Sequence, residues 1–424
     1  MRDSRKKILL IAYHFPPIGG SAAIRPLKIS KHISAYGWNP IILTAKNPDW
    51  YYAHDPDLLK ELDTNSQIIK SYALHSSWVY RILNPFRMKK LDRLISSCLI
   101  MPDDYIGWLP WAYVSGLAAI KKYDPQIIYS TSGPMTCHLV AQLLKRKTGL
   151  KWIAEFRDEW LEDPSLSLPT RFHRSFHHWV EGRVVKNADR IITMAPAVNK
   201  LLSKHLNTAD KFETIPAGFD PEDRANHLNK ECTRRESGKF TLTFTGLFYD
   251  SFRPISLLTA LSELISEGKI PKESLAVKFV GANTRRQLNG ADRYGISEFT
   301  GFQPRTEALK QAFVADALLL LLSQERGRHV IPSKIFEYLA SGKPILALIP
   351  ENGEVAKLLK ETDSGLIVDF NDVPGIKSTF YKLFCAWQQG RINSYIPDMK
   401  KVEQYNQIKL FERMAGTFDE VIRM

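Results

Sequence analysis

The residues with the strongest chemical pattern lie in the run His329-Val-Ile-Pro-Ser-Lys-Ile-Phe-Glu-Tyr-Leu-Ala-Ser-Gly-Lys-Pro344. Pro332 and Ser333 suit the opening of a helix, because proline's missing N–H is not needed in a first turn. Ile335, Phe336 and Leu339 repeat at helical spacing, and Gly342 suits the stop. A helix N-terminus carries unpaired N–H groups and partial positive charge, so it favours a phosphate. Lys334 adds a full cation there. Glu337, one turn further in, is placed to accept hydrogen bonds from hydroxyls.

Other candidates stand where predicted strands end. Gly19 and Gly20 close the loop Tyr13–Ser21 after an apolar run, allowing a ligand to approach the backbone. Their spacing is not Gly-x-Gly-x-x-Gly, which argues against a nicotinamide site. Gly246 ends the run Phe240–Gly246, and Arg253 precedes the helix expected from Pro254 to about Gly268. His138 follows Gln126–Ser130 and the loop Thr131–Thr136, and Asp158 follows Lys151–Phe156. Both therefore fall past strand carboxyl ends, where open parallel sheets bind ligands. Each also has a plain structural reading. His138 could be a helix-start residue bonded to backbone, and Asp158 a partner of Arg157 or a helix cap.

Pro332-Ser-Lys-x-x-Glu-Tyr-Leu-Ala-x-Gly-Lys-Pro-x-Leu346 resembles the donor-site segment of family 4 glycosyltransferases, retaining enzymes of the GT-B fold. The Pro16-Pro-x-Gly-Gly20 loop, Arg157-Asp-x-Trp160 and the Ile215-Pro-x-Gly-x-Asp220 turn are similar to the same family, the second of these to its polysaccharide-assembly members. The resemblance implies two doubly wound Rossmann-like domains facing a cleft. They would comprise an acceptor-binding domain over residues 1–216 and a nucleotide-sugar-binding domain over 217–402, with a helix over 403–424 returning to the first. It implies that Glu337 holds the donor ribose and that Arg253, Lys334 and the helix start at Pro332 and Ser333 meet the diphosphate. Gly20 and Gly246 would face the donor, and Asp158 and His138 would orient the acceptor. No metal or other cofactor is expected. One position departs from the family: its usual Glu-x7-Glu has His329 in place of the first Glu, which ordinarily contacts the sugar. The implied activity is sugar transfer from a nucleoside-diphosphate sugar to a saccharide or lipid-linked acceptor in cell-surface polysaccharide or glycoconjugate synthesis. An inactive relative serving as a binding subunit and a sugar-nucleotide 2-epimerase are the alternatives.

The elements needed to position these residues are legible in part. Strands are expected at Lys7–Ala12, Pro40–Ala45, Gln126–Ser130, Lys151–Phe156, Arg190–Met194 and Phe212–Pro216, and then from Phe240 at intervals to Phe370. Helices are expected between many of them, including about 22–36, 306–315 and a terminal one near 403–422. Such alternation predicts parallel sheets covered on both faces. Residues 47–125 give no clear pattern, and 221–238 look like a polar surface excursion.

The chain has 424 residues, more than one core usually supports. Its four cysteines show no metal spacing, which fits free thiols in a reducing compartment. The apolar run Ile8–Ala12 is too short for a signal peptide, and no run could span a bilayer, so a cytoplasmic enzyme is expected. Residues 1–215 hold 30 Lys and Arg against 19 Asp and Glu, and the remainder 28 against 26. That basic first half suits an anionic membrane face, with the mixed cationic and apolar segment Arg81–Arg93 as one candidate patch. No nucleic-acid-binding module appears.

Overall fold

A computed structural model describes residues 5–46, 54–63, 66–75, 100–163, 166, 168–205, 210–228, 238–248, 253–281, 288, 290–324 and 328–424. The Arg81–Arg93 segment lies outside these residues. Two compact units form, one from residues 1–216 with 410–424 and the other from 217–409.

The first unit is built on seven parallel strands in the order β3-β2-β1-β4-β5-β6-β7. These are β1 (Lys6–Ile11), β2 (Trp38–Ala45), β3 (Gln67–Ser71), β4 (Ile127–Thr131), β5 (Lys151–Phe156), β6 (Arg190–Thr193) and β7 (Phe212–Thr214). Ile- and Leu-containing runs, buried on both faces in β1, β2, β4, β5 and β6, are what a covered parallel sheet requires. Among the described residues its helices include α1 (Ser21–His32), α2 (Leu109–Tyr123), α3 (Thr136–Thr148), α4 (Arg171–Asn187) and α5 (Pro196–Leu202). The second unit has six parallel strands in the order β10-β9-β8-β11-β12-β13. They are β8 (Phe240–Thr245), β9 (Leu275–Val280), β10 (Ser297–Gly301), β11 (Ala317–Leu321), β12 (Ile345–Leu348) and β13 (Leu366–Val368). Around them lie α6 (Pro221–Leu228), α7 (Ile255–Ser266), α8 (Arg305–Val314), α9 (Lys334–Ser341), α10 (Glu354–Glu361), α11 (Val373–Gln388) and α12 (Met399–Val402). Both sheets reverse strand order beside their first strand, β1 in one and β8 in the other. That reversal opens a crevice at the carboxyl edge.

The last helix, α13 (Gln407–Arg423), differs from the expected single helix over 403–422. The chain breaks at Asn406, where a parallel bridge joins it to Phe219 and Gln407 donates from its side chain to the carbonyls of Ala217 and Gly218. From Leu410 onward the helix belongs to the first unit. Its Phe411, Met414 and Phe418 are buried against Trp38, Tyr129 and Ile33. Part of the expected polar excursion after Pro221 is helical as α6.

A buried ion pair ties the first sheet to α1. Arg25 donates to one oxygen of Glu155 through Nε at 3.0 Å and Nη2 at 2.9 Å, and also to the carbonyls of Ile215 and Pro216. The guanidinium, with the hydroxyls of Thr131 and Tyr129, outweighs burial and holds the Glu155 carboxyl below its usual range. Burial, followed by the Glu155 charge, drives the Tyr129 hydroxyl well upward. Removing either ion-pair partner would strand a charge in the interior.

Candidate active site

In the second unit the carboxyl end of β8 meets the first turn of α9. Gly246 follows Thr245 with φ 119°, a conformation that favours glycine, and a Cβ there would stand 3.6 Å from the Lys334 ammonium. Lys334 donates to the Thr245 carbonyl at 3.1 Å and lies 3.9 Å from the centroid of the Phe244 ring. One turn on, the Tyr338 hydroxyl accepts the Thr245 N–H at 2.9 Å. Thr245 is thus held at both its N–H and its C=O by α9. Enclosure pulls the Lys334 pKa down to about 7, against the opposing charge of Glu337.

Glu337 is partly buried and accepts from Arg305 Nη2 at 2.8 Å. The same nitrogen lies 2.9 Å from Asp223, so Arg305 joins α6, α8 and α9 through charge. Sequence reasoning missed Arg305, which stands 32 residues from Glu337 with no local pattern linking them. α9 starts at Lys334, with Ser333 exposed as its cap residue and Pro332 half-buried just ahead. Gly342, with φ 68°, ends it. His329 is half-buried in the connection from β11. Arg253 is half-buried two residues ahead of α7, and its carbonyl accepts from Ile255. Gly246, Arg253, His329, Pro332, Ser333, Lys334 and Glu337 therefore share the carboxyl edge of one sheet.

In the first unit the corresponding edge carries the Tyr13–Gly20 loop, the turn after β4 and the turn after β5. Gly20 precedes α1 with φ 92° and is exposed. Arg157 fastens these loops together. Its Nε donates to the Ser132 carbonyl at 2.6 Å, Nη1 to Ala22 at 2.9 Å and Nη2 to Gly133 at 3.2 Å. His14 meets the Gly133 carbonyl at 3.2 Å, and burial lowers its pKa to about 4. Asp158 is exposed beside Arg157.

His138 lies past the end of β4, where its position in the sequence puts it, but faces inward. It is fully buried in the first turn of α3, with Nδ1 2.8 Å from the Ser130 hydroxyl, which also receives the Trp152 indole N–H. The ring's partner is a side chain, while the residue's N–H donates to the Met135 carbonyl at 2.9 Å. Burial, reinforced by the Arg157 charge, lowers its pKa to about 3, so the ring stays neutral. The helix start that brings His138 to the strand end also turns it inward. Asp103 fixes that start by accepting from the Thr136 N–H at 2.8 Å and hydroxyl at 2.6 Å. Cys137 is a free, buried thiol pushed up to about 12, and Cys385 is free and half-buried. Cys98 and Cys232 lie outside the described residues.

Residues 74–218 match the family model described as a glycosyl transferase 4-like domain. Solved structures resemble the whole chain at low identity. Sucrose-phosphate synthase from Thermosynechococcus elongatus is 16% identical with a TM-score of 0.68, over 99% of this chain and 100% of that one. Anabaena HepE in complex with UDP and glucose is 12% identical with a TM-score of 0.66, over 98% and 100%. A glycosyltransferase from Rickettsia africae is 15% identical with a TM-score of 0.66, over 99% and 98%. No curated protein matches the chain in sequence. Residues 74–218 thus carry a glycosyl transferase 4-like domain, and the two Rossmann-like units have the fold of the GT-B structures they resemble. Among the described residues no helix is long and apolar enough to cross a membrane.

Proposed function

We propose that the chain moves a sugar from a nucleoside-diphosphate sugar to a saccharide or lipid-linked acceptor, with retention, in cell-surface polysaccharide or glycoconjugate assembly. The observation that carries the donor reading is Lys334, enclosed at the first turn of α9 against Gly246 and one turn from Glu337. Charge grows on the departing diphosphate during transfer, so a fixed cation and helix N–H groups lower the barrier. Arg253 would add a second cation on the same sheet edge. Glu337, oriented by Arg305 through one oxygen, would present the other to the ribose hydroxyls. UDP bound to HepE favours a uridine nucleotide as the first probe. Retention and the assembly role rest on the resemblance of the Pro332–Leu346 and Arg157–Trp160 motifs.

Asp158 is the group we assign to orienting the acceptor, beside the Gly20 loop held by Arg157. His138 would act through Ser130 on the shape of the strand end, without touching the acceptor. The basic excess of residues 1–215 suits a lipid-borne acceptor at an anionic, cytoplasmic membrane face.

Isothermal calorimetry with UDP, GDP and dTDP tests the donor site. Glu337→Ala should weaken the preferred nucleotide about tenfold or more, since a hydrogen bond to a charged group contributes about 1.5–3 kcal/mol. Unchanged affinity in that variant, with the fold intact, would remove Glu337 from the site.

A further inference from the structure

One side of the first unit combines large exposed apolar groups with an almost unopposed positive charge. There α2 packs on α3 and α3 on α4. The α2–α3 approach is close at Gly116, where a Cβ would stand 2.7 Å from the Leu144 side chain. Gln142 of α3 donates to the Arg183 carbonyl of α4 at 3.2 Å. The three outward sides thus form one continuous layer. They carry nine Lys and Arg, two on α2, three on α3 and four on α4, against one carboxylate. That carboxylate, Glu181, is buried and bonded to His205 and the Leu161 N–H. Among the cations Lys145 is committed to Asp189. The nearby acids Asp124, Glu162, Asp163 and Asp189 stand beyond the helix ends.

The apolar groups are arranged as well as exposed. Along α4, Phe172 (62% exposed), Phe176 and Trp179 (56% exposed) form a ladder with ring centroids 6.4 and 6.2 Å apart, and the Arg183 guanidinium lies 5.0 Å from the Trp179 ring. On α2, Trp111 and Val114 are exposed, and on α3 Leu143 is. A folded surface seldom gathers such groups without a partner. Aromatic rings capped by arginine, free of exposed carboxylates, match the boundary of an anionic bilayer. There rings sit at headgroup depth and cations meet lipid phosphates. Helices that flank a parallel sheet start at the strands' carboxyl edge. Trp111, Val114 and the α4 ladder therefore lie toward the edge that carries Gly20 and Asp158.

We propose that the outer side of α2, α3 and α4 docks on an anionic phospholipid bilayer and delivers a lipid-borne acceptor to that edge. This names the surface for the membrane component of the function proposed above and rests on it. The test uses the full chain and sedimentation with vesicles of phosphatidylglycerol and phosphatidylcholine, in low and high salt. The wild type should bind the mixed vesicles, release in high salt and ignore pure phosphatidylcholine. Phe172→Ser with Trp179→Ser, and Arg174→Glu with Arg183→Glu, should each weaken binding about tenfold or more while UDP affinity is unchanged. Lys121→Glu with Lys122→Glu alters only exposed ends of α2 and decides the matter if an α4 pair melts early. Vesicle binding equal to wild type in these folded variants would overturn this surface and leave membrane docking to another. A wild type that binds UDP but not anionic vesicles would overturn the docking altogether and leave the transferase reading standing.

Discussion

At the scale of single residues, Lys334 is the cation we assign to the donor site, and its burial is costly when it is charged. An unfolded lysine titrates near 10.5, whereas burial brings this one to about 7. Between those values the unfolded chain holds a proton that the folded chain lacks. Its contribution therefore makes stability rise with pH across that window, and the burial cost is full below about 7. A bound diphosphate should restore the charge. We expect nucleotide binding at pH 8 to take up close to one proton, and binding at pH 6 close to none. Calorimetry in buffers of different ionisation enthalpy reads this directly, and Lys334→Met should abolish the uptake. Equal proton counts at the two pH values would show that Lys334 does not meet the phosphates.

Arg157 belongs to the scale of elements, because its three bonds hold the start of α1 against the turn after β4. A lysine keeps the charge but lacks the planar fork that reaches several carbonyls at once. Arg157→Lys should leave nucleotide affinity within about twofold and lower transfer by about tenfold or more, because the loop around Gly20 and Asp158 loses its brace. The readouts are nucleotide calorimetry beside a transfer assay, and limited proteolysis should show faster cutting in the loop. If transfer were normal, those loops would be held by His14 and their own backbone bonds.

For the molecule as a whole, the first unit depends on residues at the far end of the chain. Phe418 is fully buried, with Trp38 and Tyr129 at ring-contact distance. Phe418→Ala should cost about 3–5 kcal/mol, a large share of the stability of about 5–15 kcal/mol typical of a domain. Urea melts followed by first-unit tryptophan fluorescence should move to lower denaturant. An unchanged midpoint would mean that the terminal helix only lies on the surface.

The strand runs from Lys6 to Ala45, from Ile127 to Thr193 and from Phe240 to Val368 were readable because both-face burial writes continuous Ile, Leu and Val. The α9 unit was readable because a cap, a cation, a glutamate and a glycine stop all fall within one short helix. β3 and α2 gave little signal. Gln67–Ser71 lies on the sheet edge with mixed exposure, and the outward side of α2 is apolar rather than polar. Sequence spacing also could not say which way His138 faces. Tertiary packing turned it onto Ser130 and neutralised it, and packing likewise joined Arg305 to Glu337 and Arg25 to Glu155 across 32 and 130 residues. Periodicity and caps are local and so are written in neighbouring residues. Charge pairing and burial depend on what the fold brings together from distant ones.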